Sequence, residues 1–533
     1  MKHMNKIFAT LAVILTITAC EQYELPEIQA PVPGTAKFDN VIAVGNSVAA
    51  GFMNGALYVD GQKNSFPSMI AAQMAQAGGG AFKQPDLSPD AVNGCYDPAT
   101  GCTLGRLYLK IVGGSPTPTP KTPGNLQALA PYTGALNNFS VPGATIQTAL
   151  TPLLGGPAVL PGPAANPVYN PYYARFASKP GTSTLIGDAA TAMANGGTFL
   201  LFELGINDAL GYAIGGASNP ALLTSRNTFY AAFNGALSTL LSANPAARGA
   251  VANVPDVTEL PFFTTITYNP VPLDAPTQAA LSAGFAGYNA ALDGLIGFKA
   301  LLGISDALAA EIASRKVTYK VSKTNSLLIT DETLTDLKPY FDILAAQSII
   351  NSAQRAALEP YRQVRQSRST DLIVLPAATV IGKVIGGNPT LINGVSLPLG
   401  YGETGTSDKY VLIPSEVSEI QSRIAEFNLI IADAVNAKTK NLNTPNEIPS
   451  LTLVDVYTAM KNLRKGTTVF KGSSLSASIA PPFGVFSLDG LHPNARGNGY
   501  VANLFIQAIN KTFGATVPLV EINSLPGNEL PIP

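Results

Sequence analysis

The stretch FDNVIAVGNSVAAG, residues 38–51, decides the fold. Val41, Ile42, Ala43 and Val44 make an unbroken apolar run, the pattern of a strand covered on both faces, as in a parallel sheet. Gly45 ends the run. Ser47 follows just past the predicted strand, with the small residues Ala49, Ala50 and Gly51 behind it. A serine at a strand-to-helix turn projects into the crevice beyond the sheet, near free amides and the positive end of a helix dipole. Taken alone, Ser47 reads as a helix N-cap, which is serine's usual use at such a place.

Three further runs share this character: Thr198 to Leu204 (TFLLFEL), Ala250 to Val254 (AVANV) and Leu451 to Val456 (LTLVDV). Helical spacing lies between and after them. Leu281, Phe285, Tyr288, Leu292 and Leu295 advance by three or four residues, as do Val417, Ile420, Ile424, Phe427 and Ile431, with Glu419 and Arg423 one turn apart on another face. Strands alternating with helices predict an α/β fold with parallel strands joined by right-handed crossovers. Its ligand should sit beyond the carboxyl ends of the strands. The connections are long. Residues 84–137 and 151–178 are crowded with Pro, Gly, Asn and Ser and read as irregular, while an insertion at about 264–370 reads as mainly helical, broken by a hairpin-like VTYKVSKTNSLLIT.

The 533 residues could hold two or three domains, but the motif spacing favours one enlarged domain over 38–515, with a tail at 516–533. Lys2 and Lys6, the apolar residues 7–19 and Cys20 read as an export signal over 1–19, too short to span a bilayer. Residues 20–37, rich in proline, read as a tether. Without the signal, 31 basic side chains face 34 acidic ones, a balance that would not hold a nucleic acid through its phosphates. Cys95 and Cys102 lie in NGCYDPATGC, where a small surface loop could close as a structural disulfide in an oxidising compartment. With His3 removed, His492 is the sole histidine, and a zinc site is not expected.

His492 sits in FSLDGLHPN, residues 486–494. An imidazole that must lift a proton from a serine needs its Nδ1–H held by an acceptor. Asp489 has the right chemistry at short reach, because a turn through Gly490 can fold its carboxylate against the ring. Two other loops supply donors. Gly143 in NNFSVPGATI can bring a backbone N–H close to a ligand, and Asn207 stands with Asp208 at the end of ELGIND, where such a pair usually makes a turn or a cap.

Ser47, Gly143, Asn207, Asp489 and His492 occur in that order, in blocks that read GNS, VPGA, GIND and DGLH. The ordered set resembles the SGNH hydrolases, the GDSL-like lipases and esterases, from about Phe38 to about Phe513. The resemblance implies a three-layer α/β/α, flavodoxin-like fold with a mainly parallel central sheet, here with large loop and helical insertions. It also implies Ser47 as nucleophile, His492 as general base and acid, Asp489 as its orienting carboxylate, and an oxyanion hole from the Ser47 and Gly143 amides and the Asn207 side chain, with no cofactor and no metal. The serine block departs from the family in two places, Asn46 for the usual Asp and Val48 for the frequent Leu, and the G-x-S-x-G elbow of other hydrolases is also absent, since Ala49 occupies its last place. Ile17-Thr18-Ala19-Cys20 resembles a bacterial lipobox, which implies lipid attachment at Cys20 and a place in the cell envelope, anchored to a membrane.

The expected function is therefore that of an exported, lipid-anchored serine esterase or lipase working through an acyl-enzyme. Its substrate would be an ester of an acyl lipid, an acylated small molecule or a glycan, without nucleic acid as partner. A carbohydrate O-acetyl esterase of the same fold and a non-catalytic surface binding lipoprotein are the alternatives. The absence of Trp and the Leu-, Phe- and Ile-rich residues 279–312, a lid or core helices, lean toward an apolar acyl group.

Overall fold

The computed structural model describes residues 30–98, 101–112, 115–125, 129–162, 164–402, 408–439 and 450–530. The expected signal segment, Cys20 and the tether as far as residue 29 lie outside these residues. The fold is mixed α/β around a four-stranded parallel sheet. Its strands β1 (Val41–Gly45), β2 (Phe199–Glu203), β3 (Arg248–Ala252) and β4 (Leu451–Val454) stand in the order β1-β2-β3-β4. Val41 pairs with Phe199, Phe199 with Arg248, and Leu451 with Gly249. All four apolar runs became strands. The third begins and ends two residues before its run, because Arg248 and Gly249 join the ladder without being apolar, while the Val254 amide leaves it for the Asn428 side chain at 2.7 Å.

Period-two alternation sends successive strand residues to opposite faces. Ile42, Val44, Leu200, Phe202, Val251 and Leu451 share one apolar cluster with helices α3 (Leu185–Ala194), α5 (Arg226–Ala243) and α7 (Pro414–Thr439). Val41, Ala43, Phe199, Leu201, Ala250, Ala252 and Val454 share the other with α2 (Phe66–Ala75) and α8 (Ala495–Phe513), where the Phe66 and Phe505 rings stack at 4.9 Å. Each of the Val, Ile, Leu and Phe side chains among these contributes about 1.5–3 kcal/mol on burial. The segment beside β1 extends the edge without being a named strand: Ala43 N donates to Asn137 O at 2.8 Å, Phe139 N to Ala43 O at 2.8 Å and Val141 N to Gly45 O at 3.0 Å.

The long helix α6 (Ala275–Gly297) buries Leu281, Phe285, Tyr288, Leu292 and Leu295 in the same cluster as the sheet, so this face is core. In α7, Ile420, Ile424, Phe427 and Ile431 are buried as their spacing predicts. The expected hairpin within 317–330 does not form. Only Leu328–Thr330 is a strand, and it pairs antiparallel with the distant Val364–Gln366. There Arg365, buried, binds Asp331 at 2.6 Å and Asp371 at 2.7 Å, a non-local anchor that alternation cannot announce. Conversely, residues 84–137, read as irregular, contain a hairpin of Leu107–Val112 with Ser115–Pro120. Its second strand carries proline at every other residue, tolerated because a two-stranded ribbon leaves alternate amides outside the ladder.

Both ends of the described chain are tied to this body. Thr35 N donates to Phe513 O at 2.8 Å, Thr516 N to Val32 O at 2.9 Å, and Val517, Val520 and Ile522 are buried. Cys95 and Cys102 form a disulfide with Cα atoms 4.8 Å apart. No helix among the described residues is long and apolar enough to cross a membrane.

Candidate active site

At the carboxyl end of β1 the chain turns from Gly45 into the short helix α1 (Ser47–Ala50). Asn46 is its N-cap: the Asn46 Oδ1 accepts from Val48 N at 2.9 Å. Thus the cap is Asn46, not Ser47, and the serine hydroxyl is left for another partner. Gly45 and Ala49 must both be small, since a Cβ on Gly45 would lie 2.6 Å from that of Ala49.

That other partner is the lone imidazole. Ser47 Oγ lies 2.9 Å from His492 Nε2, and His492 Nδ1 lies 3.0 Å from Asp489 Oδ2. Residues 445 positions apart in sequence are joined because the loop 487–492 is clamped to the loop after α1. Asn54 N donates to Ser487 Oγ at 2.9 Å, Leu488 N to Asn54 Oδ1 at 3.0 Å and Gly55 N to Asp489 Oδ2 at 2.7 Å. Gly490, at φ +72°, makes the turn, and a Cβ there would press on Phe262 N at 2.9 Å. Phe52 covers the imidazole, ring centroids 4.9 Å apart.

Asp489 is saturated with donors. Besides Gly55 N and the ring, its Oδ1 accepts from Leu491 N and His492 N, each at 2.9 Å. Burial by itself would raise its carboxyl, but the charge and hydrogen bonds of His492, with the two backbone donors, hold it down at about 2. A carboxylate that stays ionised and accepts from Nδ1 assigns the proton to that nitrogen and leaves Nε2 as the acceptor facing the serine hydroxyl. Such a chain of groups can remove a hydroxyl proton and return it.

Gly143 and Asn207 come to the same end of the sheet, since residues 139–141 run beside β1 and β2 pairs with β1 up to Gly45 and Glu203. Gly143 is exposed at φ +79°, a backbone suited to glycine. Its loop is held from both sides: Asn170 Nδ2 donates to Pro142 O at 2.7 Å, and Asn207 Nδ2 donates to Ala144 O at 2.9 Å. Asn207 opens helix α4 (Asn207–Ile214). Among the described residues, neither the Ser47 nor the Gly143 amide donates a hydrogen bond.

Three supporting residues escaped the sequence reading. Asp208, fully buried, takes Ile146 N and Thr224 Oγ1, each at 2.9 Å, and so pins the far side of the Gly143 loop; burial raises its carboxyl to about 7. Its adjacency to Asn207 was the available signal. Asn170 lies in a region read only as irregular. Glu203, at the end of β2, is raised by burial to about 8 and bonds to Asn46. A charged residue closing an otherwise apolar strand was its only mark.

An apolar cleft of about 90 Å³ lies alongside, with walls that include Val48, Ile206, Leu260, Leu491 and Pro493, the sequence neighbours of Ser47, Asn207 and His492 among them; Glu203 is its one charged lining residue. No protein-family model, curated protein or solved structure matches the chain.

Proposed function

We propose that this protein is a serine esterase of the SGNH-hydrolase type, with the three-layer α/β/α arrangement of that family. The observation that carries the reading is the continuous hydrogen-bond path from Ser47 Oγ through both nitrogens of His492 to Asp489, at 2.9 and 3.0 Å. The sheet with apolar clusters on its two faces supports the fold part of the proposal.

In the proposed reaction Ser47 Oγ attacks the ester carbonyl carbon while its proton passes to His492 Nε2, and Asp489 stabilises the imidazolium. The carbonyl oxygen becomes an oxyanion facing the amides of Ser47 and Gly143 and the remaining N–H of Asn207, neutral donors fixed in advance by their loops. Collapse expels the alcohol, which takes the proton from His492 and leaves an acyl-enzyme. Water then loses a proton to the same nitrogen, attacks the acyl carbon, and the acid departs as Ser47 regains its hydrogen. No step calls for a cofactor. The lipobox-like Ile17–Cys20 supports an exported enzyme held at a membrane by lipid on Cys20.

A serine-reactive fluorophosphonate tests the reading. It should label the protein at Ser47, and Ser47→Ala should abolish both labelling and hydrolysis of p-nitrophenyl esters, a loss on the order of 10⁶ in turnover. Unlabelled wild type without ester hydrolysis would leave a non-catalytic binding protein as the better reading, and hydrolysis unchanged by the substitution would remove Ser47 as the nucleophile.

A further inference from the structure

We infer that Glu203 is a positioning residue for Ser47 and acts through Asn46, the two forming an amide–carboxyl pair that has room for only one carboxylate. This inference rests on the esterase reading above for its kinetic consequences, though not for its geometry.

Asn46 is fully buried and all of its polar side-chain atoms are committed. Its Nδ2 donates to Glu203 Oε1 at 2.7 Å and to Glu203 O at 3.3 Å, and its backbone N–H points to Glu203 Oε2 at 3.4 Å. The carboxyl therefore grips the residue before the serine with both oxygens. Amide orientation follows: with Nδ2 drawn to Glu203, Oδ1 must face the other way, where it caps Val48 N and stands 3.4 Å from Ser47 Oγ. A flipped amide would set Oδ1 against a carboxyl oxygen and Nδ2 against the Val48 N–H.

Glu203 has no cation among the described residues. Asn46 alone opposes the cost of burying it, and the titratable groups nearby are Tyr500, across the apolar cleft, and His492 with Asp489, beyond Ser47. A carboxyl in such a place is costly to the fold. What it contributes is direction, since no apolar residue of similar size could fix the cap, and the cap sets the first turn of α1 and hence the serine hydroxyl.

Four variants test this: Glu203→Gln, Glu203→Leu, Asn46→Asp, and Asn46→Asp combined with Glu203→Gln. Turnover and KM of a short p-nitrophenyl ester are measured from pH 6 to 9, beside thermal midpoints. Glu203→Gln still offers an acceptor to Asn46 and should stay within about tenfold of wild type. Glu203→Leu frees the cap, and kcat should fall about 10²-fold with KM little changed, the usual consequence of a misplaced reacting group. Asn46→Asp sets two carboxyls together, one of which must hold a proton. Burial already raises the wild-type Glu203 carboxyl to about 8, so wild type itself loses some stability as pH rises toward that value. The variant should show a larger alkaline loss of activity and of thermal stability than wild type, and the added Glu203→Gln should remove the excess, because its amide can donate to the carboxylate introduced at position 46. Wild-type turnover in Glu203→Leu, or an Asn46→Asp protein whose pH behaviour matches wild type, would overturn the inference. If Glu203→Leu does not fold, the excess alkaline loss and its removal decide. If the wild type hydrolyses no ester, the esterase reading fails by itself, and the pair is judged on the thermal midpoints, where the same pH-dependent gap and its closure are expected.

Discussion

Replacing Asp489 by Asn exchanges one oxygen for an NH₂ group, yet the structure makes it a severe perturbation. All four contacts to the carboxylate come from donors: His492 Nδ1–H and Gly55 N–H at Oδ2, Leu491 N–H and His492 N–H at Oδ1. Whichever way the new amide turns, its NH₂ faces two of them. Turned toward Oδ1, it opposes two backbone donors, each left unsatisfied at about 1–3 kcal/mol. Turned toward Oδ2, it opposes Gly55 N–H and forces Nδ1 to become an acceptor, which puts the proton on Nε2 and removes the base from Ser47. The same exchange in a Ser-His-Asp protease lowers kcat about 10⁴-fold for that reason, and a loss of this order is expected here against p-nitrophenyl acetate.

Stability carries a second signature of the same substitution. Asp489 is held at about 2, below its unfolded value of about 3.9, so its contribution is fully present above about pH 4 and is lost as pH falls through 2. That contribution is about 2–3 kcal/mol. The gap in unfolding free energy between wild type and Asp489→Asn should therefore be full at pH 7 and narrow between pH 4 and 2. A variant within tenfold of wild-type turnover at neutral pH would refute the role given to the carboxylate. A gap that stays constant down to pH 2 would refute the account of its hydrogen bonds.

Two further outcomes are expected. Asn207→Ala removes one donor of the proposed oxyanion hole and the tie to Ala144 O, so kcat should fall by about 10²–10³ in steady-state assays, while fluorophosphonate still finds Ser47. Arg365→Met strands Asp331 and Asp371 in the interior, which should cost about 3–5 kcal/mol in denaturant unfolding at pH 7. Burial would raise the Asp331 carboxyl, but Thr333 and Arg365 together hold it below the usual carboxylate range; without the arginine the deficit should shrink in acid, where that carboxyl can take up a proton instead.

The disagreements between sequence and structure share a cause. The hairpin expected near residues 317–330 and the one found at 107–120 differ in what they require: the first had alternation but no local partner, the second had a partner but prolines that hid it. Taken alone, Ser47 reads as an N-cap by residue type, whereas Asn46 holds the cap and its amide is bonded to Glu203 from another strand. In each case the deciding contact lies outside what the local pattern of residues displays.

What the sequence determined by itself is the set of strands and the chemistry available at their ends. Burial on both faces leaves its record in consecutive residues, so Val41–Val44 announces a central strand without knowing its neighbours, and of the two histidines only His492 stands three residues from an aspartate. What tertiary structure decided is whether that imidazole reaches a serine hydroxyl. The 2.9 Å between Ser47 and His492 depends on loops 487–492 and 54–55 clasping one another; Asp208 fastens the Gly143 loop instead, and burial raises its carboxyl and that of Glu203. Packing and desolvation arise only when distant segments meet, and no local pattern of residues encodes them.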